Sequence, residues 1–337
     1  MNSYALSKVW FRTKCFDLRV GDIQKITSTC KAWLYQDTLI KPEEMVLHRP
    51  AAYGGLGLHS VKFKALAGFI STFMQTAANP AYISNLLHNL VYRKHVLDED
   101  VPGVPAQLPP YLSPELFNII KKVKTETSLN ITRMTEGEWT RYLTEDYVTM
   151  EIDSGDGNRL FLPSRAELAS PTTDWELSWH LCRQQGMPPE LSSFLWKLLL
   201  DLLCTQQRLH RMGVSNSALC KLCKDVNGSL QHELLECAKN NSIGQKLLST
   251  LNTYSPNLTA DSLLHLSLAE ADTDHQLPCT LLAAVTMSCI WKEIISSSMA
   301  RAYRVRSELE QTINLLRTTR FSNDSEILSS MLDEMFQ

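Results

Sequence analysis

Several protein classes are excluded by what this 337-residue chain has little of. Nine cysteines are too few for a secreted disulfide scaffold of this length, and an odd count suits a reducing compartment. No uninterrupted apolar segment follows Met1-Asn2-Ser3-Tyr4-Ala5-Leu6-Ser7-Lys8, so the start does not resemble a signal peptide. The apolar run Leu277 to Trp291 contains Pro278, Thr280, Thr286 and Ser288 and is too short to span a bilayer. The glycines form neither the phosphate-cradling Gly-Lys-Ser/Thr loop nor the dinucleotide-binding Gly-x-Gly-x-x-Gly turn. Apolar residues at 44% and charged residues at 20% exclude a disordered chain. The expectation is a soluble, intracellular globular protein, nuclear or cytoplasmic.

What is present begins with uneven charge. The net charge is −3, yet residues 1–98 hold 12 Lys/Arg against 6 Asp/Glu, and the remainder 21 against 30. The basic third admits phosphate contacts, although solvated helix faces give similar excesses. The length predicts more than one compact unit. Acidic Asp98-Glu99-Asp100 and prolines 102, 105, 109 and 110 mark a boundary. The expected organisation is a basic helical segment (1–98), a Pro-rich linker (99–112), a helical segment with a short hairpin (113–172), a metal-binding domain (173–240) and a C-terminal helical region (241–337).

Periodicity predicts a mainly α protein. Apolar residues recur at helical spacing in 22–35, 61–76, 82–97, 243–251 and 262–268, and from 277 to 320 with a break near Ser296-Ser297-Ser298. Ser113-Pro114 reads as an N-cap with a first-turn proline. Thr135-Glu136-Gly137-Glu138 and Thr173-Asp174-Trp175-Glu176 read as capping boxes. Leu191, Phe194/Leu195, Leu198/Leu199 and Leu202 form a stripe leading to Thr205 through Arg211. Val148 to Leu162 alternates weakly about Ser154-Gly155-Asp156-Gly157-Asn158. It reads as a short hairpin; the ligand spacing of a calcium loop is missing.

The most informative stretch is Cys220-x2-Cys223-x8-His232-x4-Cys237, which offers a complete tetrahedral ligand set in one short segment. Three Cys and one His close zinc coordination and leave no position for an activated water, so the pattern points to a structural Zn2+. Cys220 and Cys223 supply a knuckle; His232 and Cys237 lie about one helical turn apart. Lys221 and Lys224 place positive charge beside the thiols. Arg208 and Arg211, three residues apart on one face, are with those lysines the candidate phosphate contacts. The other cysteines, 15, 30, 182, 204, 279 and 289, read as core thiols. His180, His210, His265 and His275 are isolated in sequence and form no evident catalytic set.

Trp196-Lys197-Leu198-Leu199, Arg208-Leu209, Cys220-Lys221-Leu222-Cys223 and Gln231-His232-Glu233-Leu234-Leu235-Glu236-Cys237 together resemble the zinc-binding domain that follows the polymerase in reverse transcriptases of LINE-type, non-long-terminal-repeat retrotransposons. Upstream, Trp33, Lys41-Pro42, Arg49-Pro50, Gly54-Gly55-Leu56-Gly57-Leu58 and Ala65-Leu66-Ala67 resemble the segment just after the polymerase thumb in that family. The resemblance covers most of the chain. It implies a region that helps hold element RNA or target DNA while a nicked end primes reverse transcription.

The polymerase of such elements needs a Tyr/Phe-x-Asp-Asp motif to bind two metal ions, and this sequence contains no Asp-Asp pair. The nearest approach, Tyr35-Gln36-Asp37-Thr38, lacks the second Asp. The expectation is therefore a non-enzymatic fragment with a weak, non-specific partner in RNA or single-stranded DNA and none in a membrane. The alternative is a zinc-stabilised helical protein-interaction module that binds no nucleic acid.

Overall fold

A computed structural model of the chain describes residues 20–34, 41–78, 90–95, 100, 102, 114–126, 130–151, 159–161, 163–240, 242–268, 271–297 and 301–336. It is mainly helical, as expected, and divides into two compact units. The first comprises Met1–Thr38, Glu44–Arg49 and Leu56–Leu162; the second comprises Leu39–Glu43, Pro50–Gly55 and Pro163–Gln337.

In the first unit, α1 (Val20–Leu34) and α2 (Glu44–His48) pack on α3 (Val61–Ala78) and α5 (Glu136–Val148), respectively, and α3, α4 (Pro114–Glu126) and α5 enclose one apolar core. Leu66, Ile70, Phe73 and Met74 of α3 recur every three or four residues, which puts them on one face of the helix. That face meets Phe117, Ile120 and Val123 of α4 and Trp139 and Leu143 of α5. Thr135 caps α5 as its sequence predicts: its N–H donates to Glu138 Oε2 at 2.7 Å, and the Glu138 N–H returns to Thr135 Oγ1 at 3.3 Å. Residues 90–95 are helical, while most of the helix expected over 82–97 lies outside the described residues. So do most of the 99–112 linker, Ser113, Cys15 and the turn 154–158. Short strands β1 (Thr149–Glu151) and β2 (Arg159–Phe161) pair antiparallel, Met150 opposite Leu160, at the place read as a hairpin.

The core of this unit joins the segments before and after the Pro-rich stretch, and the division between units falls after Leu162. Clustered prolines stop a helix locally, whereas unit boundaries depend on which apolar faces meet. The two are different properties of the chain.

The second unit is built around a 23-residue helix, which becomes α11 when the elements before it are counted. These are α6 (Arg165–Ala169), α7 (Trp175–Arg183), α8 (Pro189–Leu199), α9 (Gln206–Arg211), and α10 (Ile243–Tyr254). The long helix α11 (Thr273–Ile295) follows a short helical turn, Ala260–Leu264, and precedes α12 (Ala302–Arg317) and α13 (Ser322–Phe336). By length and composition α11 is the one helix among the described residues apolar enough to cross a membrane, and 89% of its apolar window is buried within the protein. A helix apolar on all sides must be covered on all sides. Helices α7, α8, α10, α12 and α13 do this. The chain breaks after α11 at Ser296-Ser297, where Ser297 takes a left-handed φ of 56°.

Helix α6 opens with a capping box that the sequence reading passed over. Ser164 Oγ accepts the Glu167 N–H, and Glu167 reaches back to the Ser164 N–H. The same Glu167 accepts Trp179 Nε1 at 3.0 Å, fixing the buried indole. At the start of α7 the cap is Asp174, not Thr173; its carboxylate accepts the Leu177 N–H at 3.0 Å. Against Trp179 lies the first half of the glycine run. A 3₁₀ turn, Ala51–Tyr53, ends at Gly54 with a φ of 76°. The Gly54 carbonyl accepts Trp196 Nε1 at 2.7 Å, and the Gly55 carbonyl accepts the Arg183 guanidinium at 2.6 Å.

Candidate metal centre

The metal-ligand segment starts as a small antiparallel loop. The Cys220 N–H donates to the Val226 carbonyl at 2.8 Å and the Gly228 N–H to the Ala218 carbonyl at 2.9 Å, with Leu219 paired opposite Asn227. Lys224 turns the chain with a left-handed φ of 63°. Within this loop the two thiols repeat one pattern. Cys220 Sγ accepts the N–H groups of Leu222 and Cys223, and Cys223 Sγ accepts those of Asp225 and Val226. Backbone donors aimed at sulfur stabilise thiolate, the form that binds metal.

The other two ligands come from a single π-turn, His232–Glu236, closed by the Cys237 N–H donating to the His232 carbonyl at 2.8 Å. This corrects the picture of an ordinary helical turn. In an α-helix, residues five apart point about 140° away from each other around the axis. The wider turn brings residue 237 back over residue 232, as such turns do at functional sites. Leu234 and Leu235, inside the turn, are buried, and the turn packs against α10 and α11.

The four ligand atoms converge. All lie within 4.8 Å of one another, with Cys220 Sγ and Cys237 Sγ 3.8 Å apart and Cys223 Sγ 3.3 Å from His232 Nε2. A tetrahedron with Zn–S bonds of about 2.3 Å has S···S edges of about 3.8 Å, so the observed spacing is that of thiolates around one zinc ion. The donor set therefore fits zinc in chemistry and in size. Burial pushes the Cys220 thiol up to about 12 in the absence of an ion, despite its two backbone donors. For Cys223 burial also acts upward, but the Asp225 and Val226 N–H groups, with the Cys220 and Cys237 thiols, hold it below its ordinary value. A bound dication would supply the charge that such buried sulfurs otherwise lack.

Residues 164–243 match the family described as zinc-binding in reverse transcriptase. The four convergent ligands, 220 to 237, fall inside that match. The segment is thus similar to a reverse-transcriptase zinc-binding region, and its cofactor is zinc. No curated protein matches the chain.

The candidate phosphate contacts fall within the same matched segment. Arg211, Lys221 and Lys224 are exposed. Arg208 is partly buried and bonded to Asp201 at 2.7 Å. Asp201 has a left-handed φ of 51°, which folds the chain after α8 back towards α9. Four aliphatic side chains in the same region are also solvent-exposed: Met212, Val214, Leu219 and Val226. The histidines singled out in the sequence stay apart. His210 Nδ1 bonds the Ser215 carbonyl, and His275 packs on Tyr254. His265 lies 3.3 Å from Ser170 Oγ, but its other nitrogen is 3.7 Å from Asp261, beyond hydrogen-bond reach.

Sequence reasoning missed Glu233. It is 1% exposed, next to ligand His232, and its Oε1 accepts the Gln206 N–H at 3.2 Å. Burial raises its carboxyl to about 7, against the lowering by that N–H and by the Lys221 charge. The one available signal was a carboxylate sandwiched between a ligand and two leucines.

Proposed function

We propose that this chain is a non-catalytic, nucleic-acid-holding protein equivalent to the post-polymerase region of a LINE-type reverse transcriptase, with zinc as a structural staple. The observation that carries the reading is the closed four-ligand site within the family match, flanked by exposed Arg211, Lys221 and Lys224. Four protein ligands fill a tetrahedral ion, so the metal organises the surface and leaves no open position for a substrate. Cations fixed on such a surface contact phosphates at short range, where screening over about 8 Å no longer weakens them. Arg208, bonded to Asp201, would orient its helix and share in the contact.

Single-stranded RNA or DNA should bind modestly and with little sequence preference. Three phosphate contacts correspond to a log-log salt slope of about −2 at about −0.7 per phosphate. Replacing Arg211, Lys221 and Lys224 by Ala should flatten that slope while zinc content stays at one ion per chain. Unchanged binding by the triple variant would refute this reading.

A second reading has its own support. Met212, Val214, Leu219 and Val226 expose aliphatic surface beside the same cations, a composition suited to a protein partner. Under that reading nucleic acid does not bind at any salt concentration, and the zinc stabilises an interaction module.

A further inference from the structure

Helix α9 is six residues long, too short to persist alone in water, where helices under about 12 residues are marginal. Its first turn must have its N–H groups satisfied from outside. Two of the donors are met by the metal-binding segment: Gln206 N–H by Glu233 Oε1 at 3.2 Å, and Gln207 N–H by the Gly228 carbonyl at 3.1 Å. The third, Arg208 N–H, is met by Thr205 Oγ1 at 3.4 Å. The Gln206 side chain returns to the same segment, its Nε2 donating to the Ser217 carbonyl at 2.9 Å. Glycine at 228 leaves room for this approach, because a methyl group there would overlap both the Glu233 carboxylate and Gln206 Cβ.

From these contacts we infer that α9 is folded by the metal, and that Glu233 is the positioning residue that transmits zinc occupancy to it. Zinc fixes His232; His232 fixes the π-turn; the turn places the Glu233 carboxylate at the start of α9. Removing the ion frees the turn, withdraws the carboxylate from the Gln206 N–H, and leaves α9 without its cap. Since Arg208 and Arg211 lie on α9, the basic surface exists only in the zinc-loaded protein. Only this last consequence rests on the nucleic-acid reading above.

The test needs no nucleic acid. Hydrogen exchange of peptides covering 204–212 is followed in the full chain, zinc-loaded and chelator-stripped, for wild type, Glu233→Ala and Glu233→Gln, with metal content measured in parallel. Stripping zinc from wild type should speed exchange in α9 at least tenfold while α11 stays protected. Glu233→Ala should keep one zinc per chain and yet exchange α9 at least tenfold faster than loaded wild type. Glu233→Gln should restore slow exchange, because its amide oxygen still accepts the Gln206 N–H. Exchange in wild-type α9 that ignores zinc would overturn the inference. So would slow exchange in loaded Glu233→Ala, or loss of zinc from that variant, which would make Glu233 a support of the ligand and not a transmitter.

Discussion

Replacing Gly244 by Ala should weaken zinc binding although residue 244 supplies no ligand. Gly244 begins α10, and a Cβ there would lie 2.5 Å from Leu235 Cα, 2.6 Å from the Leu235 carbonyl oxygen and 2.8 Å from that of Leu234. Those atoms belong to the backbone of the π-turn, so no side-chain rotation relieves the overlap. Ordinary contact begins near 3.4 Å, which leaves about 0.9 Å to be absorbed by moving either α10 or the turn. Helix α10 is anchored by buried Leu247 and Leu251, which lie on the same face as Gly244, whereas the turn is free to relax once the ion leaves. Most of the overpacking strain, about 1–3 kcal/mol, should therefore appear only in the loaded state. At about 1.4 kcal/mol per tenfold, zinc affinity falls by about 5- to 150-fold. Competition against a chromophoric chelator measures the change, and circular dichroism verifies that helix content is retained. A dissociation constant within twofold of wild type, in a chain of unchanged helicity, would refute the argument that α10 sets the geometry of the turn.

Three further outcomes are expected. Cys223→Ser should release zinc and expose residues 215–240 to limited proteolysis, since zinc binding on the order of 10–16 kcal/mol folds such loops; a protease pattern identical with and without chelator speaks against it. Gly54→Ala should destabilise the protein by about 2–5 kcal/mol in urea unfolding, combining a left-handed backbone with overlap of the Trp179 indole, and a loss below about 1 kcal/mol would show that the loop can lift off. Burial pushes the thiols of Cys182 and Cys289 up to about 11 and that of Cys279 to about 12, from an ordinary 9.0. The folded state therefore holds more protons than the unfolded state above pH 9, and stability should drop as pH rises from 9 to 11. Cys289→Ala should lessen that drop when unfolding is compared at pH 8 and pH 10.5; an identical pH dependence in the variant would sink the assignment.

The four zinc ligands were legible because the chemistry of a closed zinc site demands Cys and His close together, and a short segment can satisfy that demand with little help. The mainly helical fold was legible for a similar reason: periodic apolar stripes such as Leu66, Ile70 and Phe73 follow from helix geometry alone. Thr135 announced its cap because both partners lie within one turn. These are local properties, decided over a few residues.

Tertiary structure decided the rest. The turn from His232 to Cys237 is a five-residue π-turn packed on α10 and α11, which spacing alone does not show. Glu233 drew no notice in the sequence, because only the fold places Gln206 against it. Gly54 was visible as part of a glycine run, but its need for glycine comes from Trp179, far along the chain. Arg208 read as a candidate phosphate contact; the left-handed turn at Asp201 brings a carboxylate to it. Sequence by itself determined which residues can bind metal and which stripes are apolar, because covalent neighbours fix both. Only the fold decided which buried carboxylate, which glycine and which cation are tied to the site, because those contacts join segments that sequence spacing does not relate.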